Sequence, residues 1–206
     1  RTTHLRLGIV GPSARGHEVQ DAWHKFIGVD RFNGWDNQLR DEPVVQLVHE
    51  RMRRYPLPRI QLGRGWEQDL ISHGGGALGN LATYANAGAE WRIGWNLPDD
   101  FGSTPLRPAG ENTAPTQTGT HRNAWAGHGF LTFDARLIAH DITLDGNTFR
   151  SSHSVDRRVF VADIGYGIAV TRGGWKFAIA RYYRTREFNG QRERPVFGSF
   201  TVSKAF

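Results

Sequence analysis

Toward its end the chain alternates between two kinds of residue. In 196–206 the even positions Val196, Phe200, Val202 and Phe206 are bulky and apolar, while Ser199, Thr201, Ser203 and Ala205 between them are small or polar. The stretch 159–171 repeats this, with Phe160, Ala162, Ile164, Tyr166, Ile168 and Val170 set against Asp163, Gly165, Gly167 and Thr171. In 81–95 the odd face, including Leu81, Ala85, Ala89, Trp91, Ile93 and Trp95, opposes Tyr84, Asn86, Glu90 and Arg92. Period two is the mark of strands whose two faces meet different surroundings. It predicts strands at about 2–10, 43–56, 62–74, 81–96, 124–140, 157–171, 174–188 and 195–206. The alternation by itself does not say which face is inside, because a soluble sandwich shows the same pattern. Length says more: several segments run well past the roughly five or six residues of a typical soluble strand. Trp91, Trp95, Trp125, Trp175, Tyr182 and Tyr183 fall near segment ends. An outer-membrane barrel places its interfacial girdles there, whereas a soluble protein would use them as core aromatics. The expected fold is all-β, an antiparallel transmembrane β-barrel of about eight strands forming a single domain over 1–206.

Composition narrows the class. With 25 Gly, 9 Pro and 22% charged residues, a helical bundle and a disordered chain are both disfavoured. The absence of cysteine excludes disulfides and thiol catalysis. No window approaches 18 consecutive apolar residues and the mean hydropathy is -0.52, which excludes a transmembrane helix but not barrel strands, which need only about 9–11 alternating residues. The net charge of +6 points to an anionic partner: nucleic acid, phospholipid or lipopolysaccharide. Arg1 is neither a start methionine nor the head of a signal peptide, so a processed chain or a fragment is expected.

If the C-terminus is periplasmic, as in such barrels generally, 11–42, 74–80, 141–156 and 189–194 are extracellular loops. The turns 56–61, 97–123 and Gly173-Gly174 then lie inside, with 97–123 long for its position. In loop 11–42, Ser13 after Pro12 predicts a helix cap and Gly28 a stop, giving a helix over 14–27. At about 100° per residue, Val19, Ala22, Trp23, Phe26 and Ile27 fill an arc of about 140°, with Gln20, His24 and His17 on its flank. A rim helix with this stripe against wall or lipid would hold Gln20 and His24 at the seam. No Gly-X-Ser-X-Gly elbow, phosphate-binding loop or zinc-binding helix motif occurs, which argues against the common serine hydrolases, nucleotidases and zincins.

The run Gly11-Pro12-Ser13-Ala14-Arg15-Gly16-His17-Glu18-Val19-Gln20, then Trp23-His24-Lys25, Gly34-Trp35-Asp36-Asn37-Gln38-Leu39 and Asp41-Glu42-Pro43, carries a resemblance. So do Gly79-Asn80, Arg92-Ile93-Gly94-Trp95-Asn96-Leu97-Pro98-Asp99-Asp100-Phe101-Gly102, His140-Asp141 with Asp145-Gly146-Asn147, and Arg184-Thr185-Arg186-Glu187-Phe188-Asn189-Gly190-Gln191. Together these resemble the lipid A 3-O-deacylase (LpxR) family of Gram-negative outer membranes, over essentially the whole chain. The resemblance implies a barrel of about twelve strands. It also implies calcium-dependent hydrolysis of the ester-linked acyl chain at the 3-position of lipid A, at a site between the barrel wall and a helix of an extracellular loop.

The residue matching the family's general base is His24. An imidazole can take a proton from water as that water attacks the ester carbonyl, and calcium can polarise the carbonyl. Gln20, one turn earlier on the same face, can orient His24 or donate to substrate. Asp30 resembles an acidic active-site position of the family and is the one candidate metal ligand, while Arg15 and Lys25, bases near the helix that can meet the phosphates, are with Trp23 the expected substrate-binding residues. The expected partners are lipopolysaccharide and outer-membrane lipid, without nucleic acid, for a monomer. Family members open with about four further strands bearing an Asn-Asp pair, a Tyr-Thr-Asn-Gly-like segment and a lysine of the active site. Nothing here corresponds to them, so the chain resembles the C-terminal two-thirds of a deacylase. The alternatives are an inactive fragment, a non-enzymatic outer-membrane barrel, or a soluble lipid- or glycan-binding β protein. Eight strands could also close a small barrel of their own.

Overall fold

The computed structural model describes residues 1–58, 65–103 and 124–205. Eight antiparallel strands form one sheet in chain order: β1 (Thr2–Val10), β2 (Glu42–Pro56), β3 (Trp66–Gly79), β4 (Ala82–Trp95), β5 (Ala126–Asp141), β6 (Phe160–Arg172), β7 (Trp175–Arg184) and β8 (Val196–Lys204). The sheet curls into a half-barrel. Among the described residues β1 and β8 each pair on one side only, so the eight strands do not close on themselves. They follow the curvature of a wider cylinder than eight strands would complete.

The two faces are sorted the opposite way to a soluble protein. On β6, Phe160, Ile164, Tyr166 and Ile168 point outward with 50–62% of their surface exposed, while Val161 and Asp163 between them are at most 4% exposed. The inward face buries Glu50, Asp69, Glu90, Arg92, Asp134, Asp163 and Lys176. The outward face carries no Asp or Glu along the body of any described strand; Asp141, at the end of β5, caps the short helix α2 (Ile142–Asp145) instead. Apolar outside and ionic inside is the arrangement of a sheet facing acyl chains. No helix among the described residues is long and apolar enough to cross a membrane. Ile168, Ile179 and Phe200 form one outward row across β6, β7 and β8. An Ile179→Arg substitution in this row is expected to destabilise the protein in lipid vesicles by about 2–4 kcal/mol, read from the urea unfolding midpoint.

Tryptophans mark one end of the sheet. Trp66 meets Trp95 at 6.2 Å, Arg172 lies over Trp125 at 4.9 Å, and the Lys204 ammonium lies over Trp175 at 4.8 Å. Rings with cations above them are the furniture of a membrane interface. Tyr183 is also outward, but Tyr182 is 1% exposed, packed inward with Phe130, Ala169, Ala178 and Ala180 and stacked on Phe197. Consecutive strand residues take opposite faces, so only one of the two tyrosines can join a girdle.

Two turns differ in how well their glycines announced them. Gly173 and Gly174, with φ of 54° and 83°, make the two-residue hairpin expected between β6 and β7. The glycines at 74–76, expected to open a loop, are instead inside β3, which runs to Gly79 and leaves only Asn80 and Leu81 as the turn. A Cβ at Gly75 would stand 2.1 Å from the His49 carbonyl oxygen, so close strand approach, not a bend, is what these glycines serve. The start of the expected strand 62–74, the second half of the turn 56–61, residues 104–123 and Phe206 lie outside the described residues. The described part of 97–123 folds back against the inward face. Leu97, Asp100 and Ser103 are buried there; Asp100 is ion-paired with Arg92 and Lys176, and Ser103 is hydrogen-bonded to Glu90 and His128.

Candidate active site at the rim

Loop 11–42 joins β1 to β2 at the end opposite the tryptophans, and its helix α1 spans Gly16–Ile27. The helix starts later than expected, and Ser13 does not cap it. Residues Pro12–Ala14 form a single 3-10 turn, and Arg15 adopts a left-handed conformation (φ 55°) that separates this turn from α1. The Ser13 backbone N–H and hydroxyl each donate to Asp41 at 2.8 Å, latching the two ends of the loop together. These bonds, the backbone one foremost, hold the Asp41 carboxyl below the usual aspartate range. Gly28 ends the helix as expected, with φ 71° and its N–H bonded to the His24 carbonyl.

The loop is tied to its neighbours by motif residues that sequence reasoning did not assign a task. Arg40 and Asn147 exchange two hydrogen bonds of 2.9 and 2.8 Å. The buried Glu42 carboxylate accepts from the Asn80 and Asn147 side-chain amides and from the backbone N–H of Thr148 and Phe149. The quoted motifs Gly79-Asn80 and Asp145-Gly146-Asn147 therefore work as clasps. The signal that could have identified them was asparagine beside glycine at a strand end, a pairing that bonds readily to backbone.

Along α1, only Gln20, Asp21 and His24 are half-buried. The apolar stripe is not covered by any described element: Val19, Trp23, Phe26 and Ile27 are 46–80% exposed. The polar flank is what turns toward the rest of the loop. His17 stacks on Trp35 at 5.1 Å, and Asp21 meets both His17 and Arg31 at 3.5 Å. His24 Nδ1 lies 2.5 Å from the Asp30 carbonyl oxygen, with the Phe32 ring 4.7 Å from the imidazole. A carbonyl can only accept, so Nδ1 carries the proton and the lone pair of the neutral ring is on Nε2. Asp30 thus meets His24 through its backbone rather than its carboxylate. Gln20 stands one turn before His24 on the same half-buried face. Trp23 and Lys25 are exposed beside it, while Arg15 sits about 13 Å farther along the helix axis.

A cleft of about 590 Å³ opens between Trp35, Asp36, Gln38 and Arg40 on one side and Ser151, Ser152 and His153 on the other. A smaller one of about 350 Å³ adjoins it past Leu39 and His153. His24 lines neither. The residues at 151–153 had no motif to single them out.

A profile of the family described as outer membrane protein LpxR matches residues 1–206. The chain belongs to the LpxR family. A solved structure, LpxR from Salmonella typhimurium, superposes with a TM-score of 0.77 at 19% identity, covering 99% of this chain and 66% of that one. At that identity the likeness shows the fold, and the chain spans about two-thirds of the relative's length. No curated protein sequence matches. LpxR membership, the inverted faces and the tryptophan end together make this an outer-membrane β-barrel protein.

The calcium that LpxR resemblance implies can be weighed against the donors present. Calcium takes about six to eight oxygens, usually including several carboxylates. Near His24 the carboxylates are Asp30 and Asp21, the latter meeting His17 and Arg31 through Oδ2 while its buried Oδ1 has no hydrogen-bond partner. No group of three or more His, Cys, Asp or Glu suited to a metal exists among the described residues. These residues do not form a calcium site.

Proposed function

We propose that this chain is the helix-bearing part of a lipid A 3-O-deacylase, with α1 on the extracellular side and His24 as general base. The observation that carries the reading is the bond from His24 Nδ1 to the Asp30 carbonyl, which leaves Nε2 as the proton acceptor on the half-buried face of the rim helix. In that role Nε2 removes a proton from water as its oxygen bonds to the ester carbonyl carbon. The tetrahedral intermediate then expels the sugar 3-oxygen, which takes the proton from the imidazolium, giving a free fatty acid and a 3-hydroxyl. Gln20 orients His24 or donates to the substrate. Lys25 and Arg15 suit the glucosamine phosphates, and Trp23, on the uncovered stripe, suits an acyl chain.

The test is mass spectrometry of lipid A from outer membranes of cells expressing the chain, with and without added calcium. Loss of the mass of one 3-hydroxyacyl chain supports the deacylase. Unchanged lipid A under both conditions favours the second reading, a barrel without activity on its own. What supports that reading is that no cluster of carboxylates suited to a metal occurs among the described residues.

A further inference from the structure

After Gly28 the chain runs back along the polar flank of α1, without regular secondary structure until the 3-10 turn at Trp35–Asn37. Contacts with the helix set its course. The Val29 N–H donates to the His24 carbonyl at 3.1 Å, the Arg31 guanidinium meets Asp21 at 3.5 Å, and the Trp35 ring stacks on His17 at 5.1 Å. His17, Asp21 and His24 stand four and three residues apart, so one helix face takes all of these contacts in order. Between the Val29 and Arg31 anchors lies the peptide unit whose carbonyl, that of Asp30, meets His24 Nδ1.

A trans peptide carries its carbonyl on one side and its N–H on the other. With the carbonyl toward His24, Nδ1 is protonated and Nε2 holds the lone pair. Turned over, the same unit offers the Arg31 N–H, Nδ1 becomes the acceptor, and the proton sits on Nε2. That second form has no base on Nε2. We propose that Asp21, by holding Arg31, keeps this peptide carbonyl-side toward His24 and so selects the tautomer. The inference rests on the reading of His24 as general base. Asp21 is half-buried, its Oδ2 meets both Arg31 and His17, and its Oδ1 is buried without a hydrogen-bond partner. A partly dried carboxylate is costly away from opposite charge, and the permanently charged group that reaches it among the described residues is Arg31. Asp21 and Arg31 are then positioning residues, acting through His24 without touching the ester.

The experiment is proton–nitrogen correlation NMR of the protein in detergent with isotope-labelled histidine, at a pH where imidazole is neutral, beside kcat and KM for lipid A deacylation. The His24 signals are those absent from His24→Asn. The parent is expected to show a protonated Nδ1 and a bare Nε2. In Asp21→Asn and in Arg31→Met both tautomers are expected, with kcat about fivefold lower at unchanged KM, the upper end for one partly exposed ion pair. The double variant is expected to be no worse than either single one, because each removes the same contact. Arg31→Lys, which keeps the charge, is expected to restore the parent's tautomer. A bare Nδ1 in the parent overturns the proposal, and so does a tautomer unchanged in Asp21→Asn and Arg31→Met. The signals are read without substrate, so an inactive parent counts against the deacylase reading alone.

Discussion

Replacing His24 with alanine is expected to slow release of the 3-position acyl chain from lipid A by about 10²–10⁴, the usual worth of a positioned general base. The barrel should scarcely notice. The Gly28 cap uses the His24 backbone carbonyl, which alanine retains, and the side chain loses only one exposed hydrogen bond, worth about 1 kcal/mol. A second substitution separates proton transfer from loop geometry. The amide nitrogen of His24→Asn lies near the Nδ1 position and can still donate to the Asp30 carbonyl, but asparagine has no basic nitrogen to replace Nε2. Both variants should therefore lose activity together in a timed mass-spectrometric assay while keeping the parent's unfolding midpoint. Full activity in His24→Asn would place the base elsewhere and leave His24 as a loop fastener.

What the sequence made legible follows from how local each determinant is. Strand positions came through because period two is written continuously along each strand, and six of the eight expected spans agree with the observed ones to within three residues at each end. The ends of β3 and β7 were less legible. Glycine serves loops and close-packed strands equally, so 74–76 read as a bend until the 2.1 Å approach of His49 was visible. Tyr182 and Tyr183 are the same residue type on opposite faces, and only parity along β7 tells them apart. The α1 start was hidden by Arg15, whose left-handed backbone has no residue-type signal. His24 could be placed from the helical wheel and the family resemblance. Its bond to the Asp30 carbonyl could not, because it depends on how Gly28 turns the chain back over the helix end. The burial of Leu97, Asp100 and Ser103 was out of reach altogether, since the anchoring pair Asp100 and Lys176 are far apart in sequence.

That same anchor is where the largest loss of stability is expected. Arg92, fully buried, donates to both Asp69 oxygens, at 2.8 and 2.7 Å, and is bonded to Asp100 as well. Lys176 donates to Asp100 at 2.6 Å and to the Gly102 carbonyl at 2.7 Å, and Arg54 shares Asp69. Arg92→Met removes a cation that bonds both carboxylates. Breaking a buried ion pair from one side costs about 3–5 kcal/mol, because the abandoned charge stays desolvated. The expected result is a lowered urea midpoint in vesicles together with faster hydrogen exchange than in the parent at Gly102 and Ser103, whose N–H groups bond to Asp100 and Glu90. Adding Asp69→Leu to Arg92→Met should recover part of the loss, since an apolar pair leaves less charge unmatched. An additive double variant would show the network to be a set of separate bonds. Recovery would show that the interior charges stabilise the protein only as matched partners. That dependence is expected where the outward face is given over to lipid and the inward face holds the ionic groups.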